Sequence, residues 1–314
     1  MTYPGMVKTV LIGQESAWGT AVTADKDVGL VQEISDNFTR EIKETGAAGS
    51  IQTQKVTSGM FDPGSSITVD FQHGRLLEYA LGAVAHLETT GDWTHTFTVS
   101  NTPPSFTLES GNNLTTDTVL TGAGFLAETT ELSIALNENL KIKIDVKGKT
   151  TTSSASAGAA VISALTVFPH ALCSVSIGGS PETEVQNFSI KINSIVDRSG
   201  GVGSNLYQQG HVVEMKFEFS GTLGFADKDL QELYLGGSTP SATSDPSGIA
   251  VVLAADNGTA LGSGERSMDF ALQSCIMSTF DEVATLGGLT FVDIVGAGIF
   301  NTCTSVDNIA SAAW

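Results

Sequence analysis

The stretch FADKDLQELYLGG, residues 225–237, echoes an earlier one, FQHGRLLEYALGA, residues 71–83. In register, Phe71 meets Phe225, Leu76 meets Leu230, Glu78 meets Glu232, Leu81 meets Leu235 and Gly82 meets Gly236. Both carry leucines at helical spacing and close on glycine, which predicts two short helices over about 74–82 and 227–235, each lying on a sheet. Asp227 is placed to cap the second helix and Gly236 to end it.

Outward from these helices the pattern switches to period 2, the mark of strands with one buried face. VEMKFEF sets Val213, Met215, Phe217 and Phe219 on one side and Glu214, Lys216 and Glu218 on the other. LKIKIDVK sets Leu140, Ile142, Ile144 and Val146 against Lys141, Lys143, Asp145 and Lys147. KTVLIG, SITVDF, THTFTV, SFTLES, TELSIAL, CSVSIG, IAVVLA, DFALQS and LTFVDIV read the same way. The order of elements also repeats. NFTREI, a polar loop over 43–65, SITVDF, a helix and further strands are followed by NFSIKI, a glycine-rich loop over 198–210, VEMKFEF, a helix and further strands. The expected organisation is a duplication, with halves 1–149 and 161–314 joined by a flexible small-residue linker, 150–160.

Apolar residues make up 41% and charged residues 16% of the 314, the composition of an ordered, globular chain. No apolar run reaches the roughly 18–20 residues that cross a bilayer, and MTYPGMVKTVLIG lacks the layout of a signal peptide. Membrane insertion and export are therefore not expected. Three cysteines at unrelated spacings (Cys173, Cys275, Cys303) are expected as free thiols. The formal net charge of −19 spreads over both halves and argues against holding nucleic acid through phosphate contacts.

No catalytic or cofactor constellation stands out. GAGFLA, residues 122–127, has the glycine spacing of a dinucleotide site but sits among alternating strands rather than in a βαβ unit. GGVGSNLYQQG lacks the Lys-Ser/Thr of a phosphate loop. His86 and His95 straddle a predicted turn with no cysteine to complete a metal set, so they are expected as ordinary surface or core histidines. No Gly-x-Ser-x-Gly elbow occurs. The expectation is a non-enzyme with no cofactor and no metal.

Three stretches carry a family resemblance: IGQESAWGTAV (12–22), SSITVDFQHGRLLEYALGA (65–83) and LQSCIMSTFDEVATLGGLTFVDIVGAG (272–298). In this order they resemble the major tail tube proteins of long-tailed, siphovirus-like bacterial and archaeal viruses. The resemblance implies a mainly β fold: β-sandwich halves, each flanked by a short helix, that close with neighbouring subunits into a β-barrel ring and stack as a tube. Many members carry one copy per chain in six-membered rings. Two copies here imply homotrimeric, pseudo-hexameric rings, with about 24 strands if each half lines the bore with four.

It further implies a virion-tail location after assembly in the host cytoplasm. The implied partners are the chain itself, tape measure, tail terminator and tail-tip or baseplate proteins, and double-stranded DNA in transit. In the family the long loop reaches the adjacent ring, which makes Lys55, Phe61, Asp62, Asn205 and Tyr207 stacking candidates, with Phe61 and Tyr207 as isolated anchors that become buried on stacking. Glu214, Lys216 and Glu218 are candidates for the bore, where an acidic lining would repel DNA. Two alternatives stay open: the tube subunit of a contractile injection system, and a secreted surface-layer or adhesin β-protein.

Overall fold

The computed structural model describes residues 8–46, 48, 51–112, 118–154, 165–224, 228–240, 248–261, 265–283 and 290–310. The first half runs β1 (Lys8–Gln14), β2 (Lys26–Asp27), β3 (Leu30–Thr45), β4 (Lys55–Asp70), α1 (Arg75–Leu81), β5 (Gly82–Thr89), β6 (Asp92–Val99), β7 (Phe106–Asn112), β8 (Thr118–Ala135), β9 (Lys141–Lys147) and β10 (Thr150–Ser154). The second runs β11 (Cys173–Ile177), β12 (Ser180–Glu182), β13 (Val185–Gly200), β14 (Tyr207–Gly224), α2 (Asp229–Leu235), β15 (Ile249–Ala260), β16 (Glu265–Val283) and β17 (Phe291–Asp307). The protein is mainly β, in an open sheet architecture of the sandwich kind.

Eight strands, seven of them 16–19 residues long and β9 of seven residues, form one antiparallel sheet in the order β3-β4-β9-β8-β13-β14-β17-β16. The first four belong to the first half and the last four to the second, and the β8–β13 pair joins them. The order within each four is the same. So are the irregularities. A bulge at Gln32 separates Val31 opposite Val69 from Glu33 opposite Thr68, and one at Gln186 separates Val185 opposite Leu223 from Asn187 opposite Thr222. A second pair falls at Glu128 in β8 and Ser278 in β16. By this register Ile34, not Phe38, takes the place that Phe188 holds. The sequence match of NFTREI with NFSIKI is therefore four residues out of step, because pairing follows the buried positions rather than the local letters.

The eight-stranded sheet buries one face. Strand β9 keeps Ile142, Ile144 and Val146 inward, and Ile190, Ile192 and Phe219 continue that surface. The outer halves of β8 and β16 turn away to pair in a second layer, β8 with β7 and β10, β16 with β15 and the end of β17. Their length of 18 and 19 residues lets each serve both layers. Helix α1 packs into this core through Leu76, Leu77 and Tyr79, the last 4.6 Å from the Phe106 ring. Gly74 precedes it where a Cβ would lie 2.5 Å from Phe97 Cζ, so only glycine lets the turn approach. Both helices end on a left-handed glycine, Gly82 and Gly236, as their sequences require. Helix α2 buries only Leu230; Asp227 and Phe225 lie outside the described residues.

Three expectations change. Thr150–Ser154, expected in the linker, is strand β10 on β8, while 155–160 lies outside the described residues. Val213 is 60% exposed because a bulge opposite Ile195/Val196 takes it out of alternation; Phe217 and Phe219 keep theirs. The supposed loops are largely strand, described next.

Candidate assembly surfaces

The β3–β4 ladder runs from Leu30 opposite Asp70 to Thr45 opposite Lys55, whereas β9 accompanies β4 only as far as Gly64. Beyond that point the hairpin projects as an arm. The β13–β14 ladder likewise continues to Gly200 opposite Tyr207, past the last β17 partner of β14 at Phe217. The first arm beyond its root meets solvent on both faces, and the second is held by polar, aromatic and backbone contacts, so neither shows apolar alternation and polar sequence there reads as loop.

The stacking candidates gather at the roots and tips of these arms. The Asn205 carbonyl, at the second arm's tip, accepts from the Phe61 N–H (2.9 Å) at the root of the first. Arg198 binds Asp62 at 2.6 Å, donates to the Gly148 carbonyl at 2.8 Å and lies 4.2 Å over the Tyr207 ring. Phe61 packs on Phe38, with Arg40 5.2 Å over its ring. Phe61 and Tyr207 are thus held within the chain rather than isolated, and Lys55 stands exposed where the first arm begins its tip. Sequence reasoning missed Arg198, whose value comes from distant partners. Replacing Arg198 with Ala removes an ion pair, a hydrogen bond and a ring contact together. Amide exchange in the second arm is expected to rise about tenfold or more, for a loss on the order of 2 kcal/mol. Unchanged exchange would mean that the arm is held by its ladder alone.

The motif IGQESAWGT braces the same region. The buried Glu15 carboxylate accepts four hydrogen bonds: from the Gly19 N–H (2.8 Å), Ser105 Oγ (2.7 Å), Gly124 N–H (2.8 Å) and Thr107 Oγ1 (3.1 Å). Trp18 donates from Nε1 to the Gly124 carbonyl at 3.0 Å. It lies against Gly210 of the second arm, where a Cβ would come within 2.7 Å of the indole. The signature stretch is therefore a structural clamp.

The second surface is the exposed face of the eight-stranded sheet. Strand register sets Lys143 opposite Glu131, Glu131 opposite Lys191 and Lys191 opposite Glu218, a row of alternating charge across four strands. Lys216 follows opposite Asn193, and Asn193 donates to Glu218 at 2.7 Å. Lys216 and Glu214 both lie on the arm side of Phe217, the last residue of β14 with a β17 partner. The sequence separated the lysines of β9 from the glutamates of β14; the sheet puts them on one face.

His73, His86 and His95 sit away from both surfaces, whereas His211 lies on the second arm opposite Asp197. His86 and His95 face each other across the β5–β6 hairpin, Nδ1 to Nδ1 at 2.6 Å, and His95 Nε2 lies 3.0 Å from Asp307. Burial, with the neighbouring His95, lowers the pKa of His86; burial also lowers that of His73, against the raising influence of Asp27. Both then fall below the ordinary imidazole value of 6.5. The unfolded chain takes up protons first, so this stability is full above about pH 6.5 and is lost as pH falls through the folded values. Melting temperature is expected to drop from about pH 7 to pH 5, less steeply in His86→Gln. Identical slopes in the variant and the parent would assign the drop to other groups.

A mainly β chain with two projecting arms and two sheet edges is a building block for an assembly. Residues 7–293 match the family model described as phage tail tube protein, and the chain belongs to that family. No curated protein matches the chain. It is a structural, tail-tube component of the virion, from a family whose subunits assemble into a tube with other tail proteins.

Proposed function

We propose that three copies close edge to edge into a ring of six equivalent positions and that rings stack into the conduit for double-stranded viral DNA. The observation that carries this is the eight-stranded sheet with one four-strand order occurring twice, its end strands β3 and β16 each paired on one side along the stretch that meets a neighbour, among the described residues. A duplicated chain, with halves 1–149 and 161–314, accounts for the shared order and bulges. Closure removes edges that otherwise invite uncontrolled pairing. About 24 strands roughly 4.8 Å apart span a circumference of about 115 Å, a backbone diameter near 37 Å before tilt widens it. That admits a DNA duplex.

The exposed face of the sheet lines the bore in this reading. Glu218 belongs to it, and Lys216 and Glu214 stand at its rim, on the arm side of the last β17 partner. Lys143 and Lys191, which would hold phosphates, are each matched by a carboxylate on an adjacent strand, so the lining is balanced rather than uniformly acidic, and DNA passes without counterion release to anchor it. The arms crown one rim; Lys55 and the first arm's tip meet the next ring, and Phe61, Asp62, Asn205 and Tyr207 set the arms' stance. Further partners in this reading are tape measure, tail terminator and tail-tip or baseplate proteins. No membrane insertion is involved.

Electron microscopy of the concentrated, purified chain tests the proposal. Hollow tubes of threefold rings with six similar lobes are the expected result. Rings of six whole chains would discard the pseudo-sixfold reading, and flat lattices or monomers at every concentration would overturn the tube.

A further inference from the structure

Inside the chain, β13 meets β8 with Asn193 opposite Thr129, Ile192 opposite Thr130, Lys191 opposite Glu131 and Ile190 opposite Leu132. The shared bulges make β3 the counterpart of β13 and β16 that of β8, residue by residue. Thr39 opposite Asp62 corresponds to Asn193 opposite Lys216, and Thr279 opposite Val295 corresponds to Thr129 opposite Asp145. Among the described residues, β3 pairs with β4 only, and the Ile276–Val283 part of β16 with β17 only.

We infer that copies join head to tail in the register of this internal joint: Thr39 of one copy opposite Thr279 of the next, then Phe38 opposite Phe280, Asn37 opposite Asp281 and Asp36 opposite Glu282. The inference rests on the ring reading above and specifies its interface. An interface between unlike patches closes into a ring when its rotation allows.

The arms supply a second, independent observation. Within the chain, the second arm lies on the root of the first, where Arg198 meets Asp62. By the same correspondence Arg198 maps to Glu44, and Asp62 maps to Lys216. The pair recurs between copies with its charges exchanged, Glu44 of one copy facing Lys216 of the next. The root of the second arm also holds a cleft of about 460 Å³ lined by Met215, Phe217, Ile299 and Phe300. The ladder of the first arm exposes Ile42 (66%) and Val56 (62%), apolar side chains of the kind such a cleft takes. So the ladder of the first arm lies along the cleft of the next copy in the ring and leaves its tip to the adjacent ring.

One difference from the template matters. The internal joint buries Leu132 opposite Ile190, whereas the joint between copies sets Glu282 opposite Asp36. Like charges directly opposite weaken a strand pair, so the joint between copies is weaker than the joint within, and subunits add reversibly.

Mixing a Thr39→Cys chain with a differently tagged Thr279→Cys chain under mild oxidation tests this, with Thr129→Cys/Asn193→Cys as the internal standard and the parent as blank for Cys173, Cys275 and Cys303. The expected result is a mixed-tag disulfide dimer at a rate within about tenfold of the standard, with Asn37→Cys plus Thr279→Cys at least tenfold slower. Diagonal neighbours sit about 7–8 Å apart, beyond disulfide reach. Equal rates for both pairs, or no dimer while the standard closes, overturn the register. Tubes in the same sample without the in-register dimer sink this inference and leave the tube reading standing; neither tubes nor dimer sinks both. For the arm, Lys216→Glu should cut assembly about tenfold and Glu44→Lys in the same chain should restore it. A double variant as poor as the single removes the arm from the interface.

Discussion

Tubes built from the double variant Glu131→Lys/Glu218→Lys are expected to hold duplex DNA that wild-type tubes release. The two positions are the acidic members of the row Lys143–Glu131–Lys191–Glu218. Replacing them leaves an unbroken row of lysines and changes the bore by about twelve charge units per ring of three chains. Each phosphate neutralised releases counterions, so binding should be tight at about 50 mM salt and weaken by about 10³-fold or more by 200 mM. Opposed lysines cost the sheet about 0.2–1 kcal/mol per pair, too little to unfold it. Glu88→Lys, at an exposed position of β5 outside the eight-stranded sheet, serves as the control and should not retain DNA. Equal retention by the control and the double variant, measured by filter binding on sheared tubes, would place this face outside the bore.

The largest expected loss of stability follows Glu15→Ala. The substitution strands the Gly19 and Gly124 N–H groups and the Ser105 and Thr107 hydroxyls in a site where Glu15 is 7% exposed. Unsatisfied buried donors cost about 1–3 kcal/mol each, partly relieved by rotating hydroxyls, so a loss of about 3 kcal/mol and a fall of roughly 6–12 °C in melting temperature are expected. Glu15→Gln keeps the volume but turns an amide N–H₂ toward two of the four donors, and should lose about half as much. Thermal melts of the three proteins check the order. Equal melting temperatures would show that the clamp is dispensable and would leave IGQESAWGT without a structural account.

Much of the fold was legible because its determinants are local. Alternation in KIKIDVK and in the FEF of β14 follows directly from one-sided burial, and the leucine spacing with terminal glycines located both helices to within about two residues. The arms lack a strand signal for a physical reason: the first is wet on both faces beyond its root and the second is held by Arg198, Trp18 and backbone contacts, so neither has an apolar period. The polar runs over 43–65 and 198–210 carried no strand signal although their backbones pair almost to the tips. Arg198 and Glu15 were equally silent, since a clamp is defined by partners far along the chain.

By itself, then, the sequence determined the β class, the two helices, the repeat in element order and the family. Each depends on neighbouring residues, whose spacing survives in one dimension. The tertiary structure alone decided the register between the repeats, the clasp of one arm on the other, and the charge row of the exposed face. Strand pairing brings together residues separated by tens of positions, and a one-residue slip would exchange the faces of the sheet. Lys143, Glu131, Lys191 and Glu218 become a balanced row only because four particular strands lie side by side.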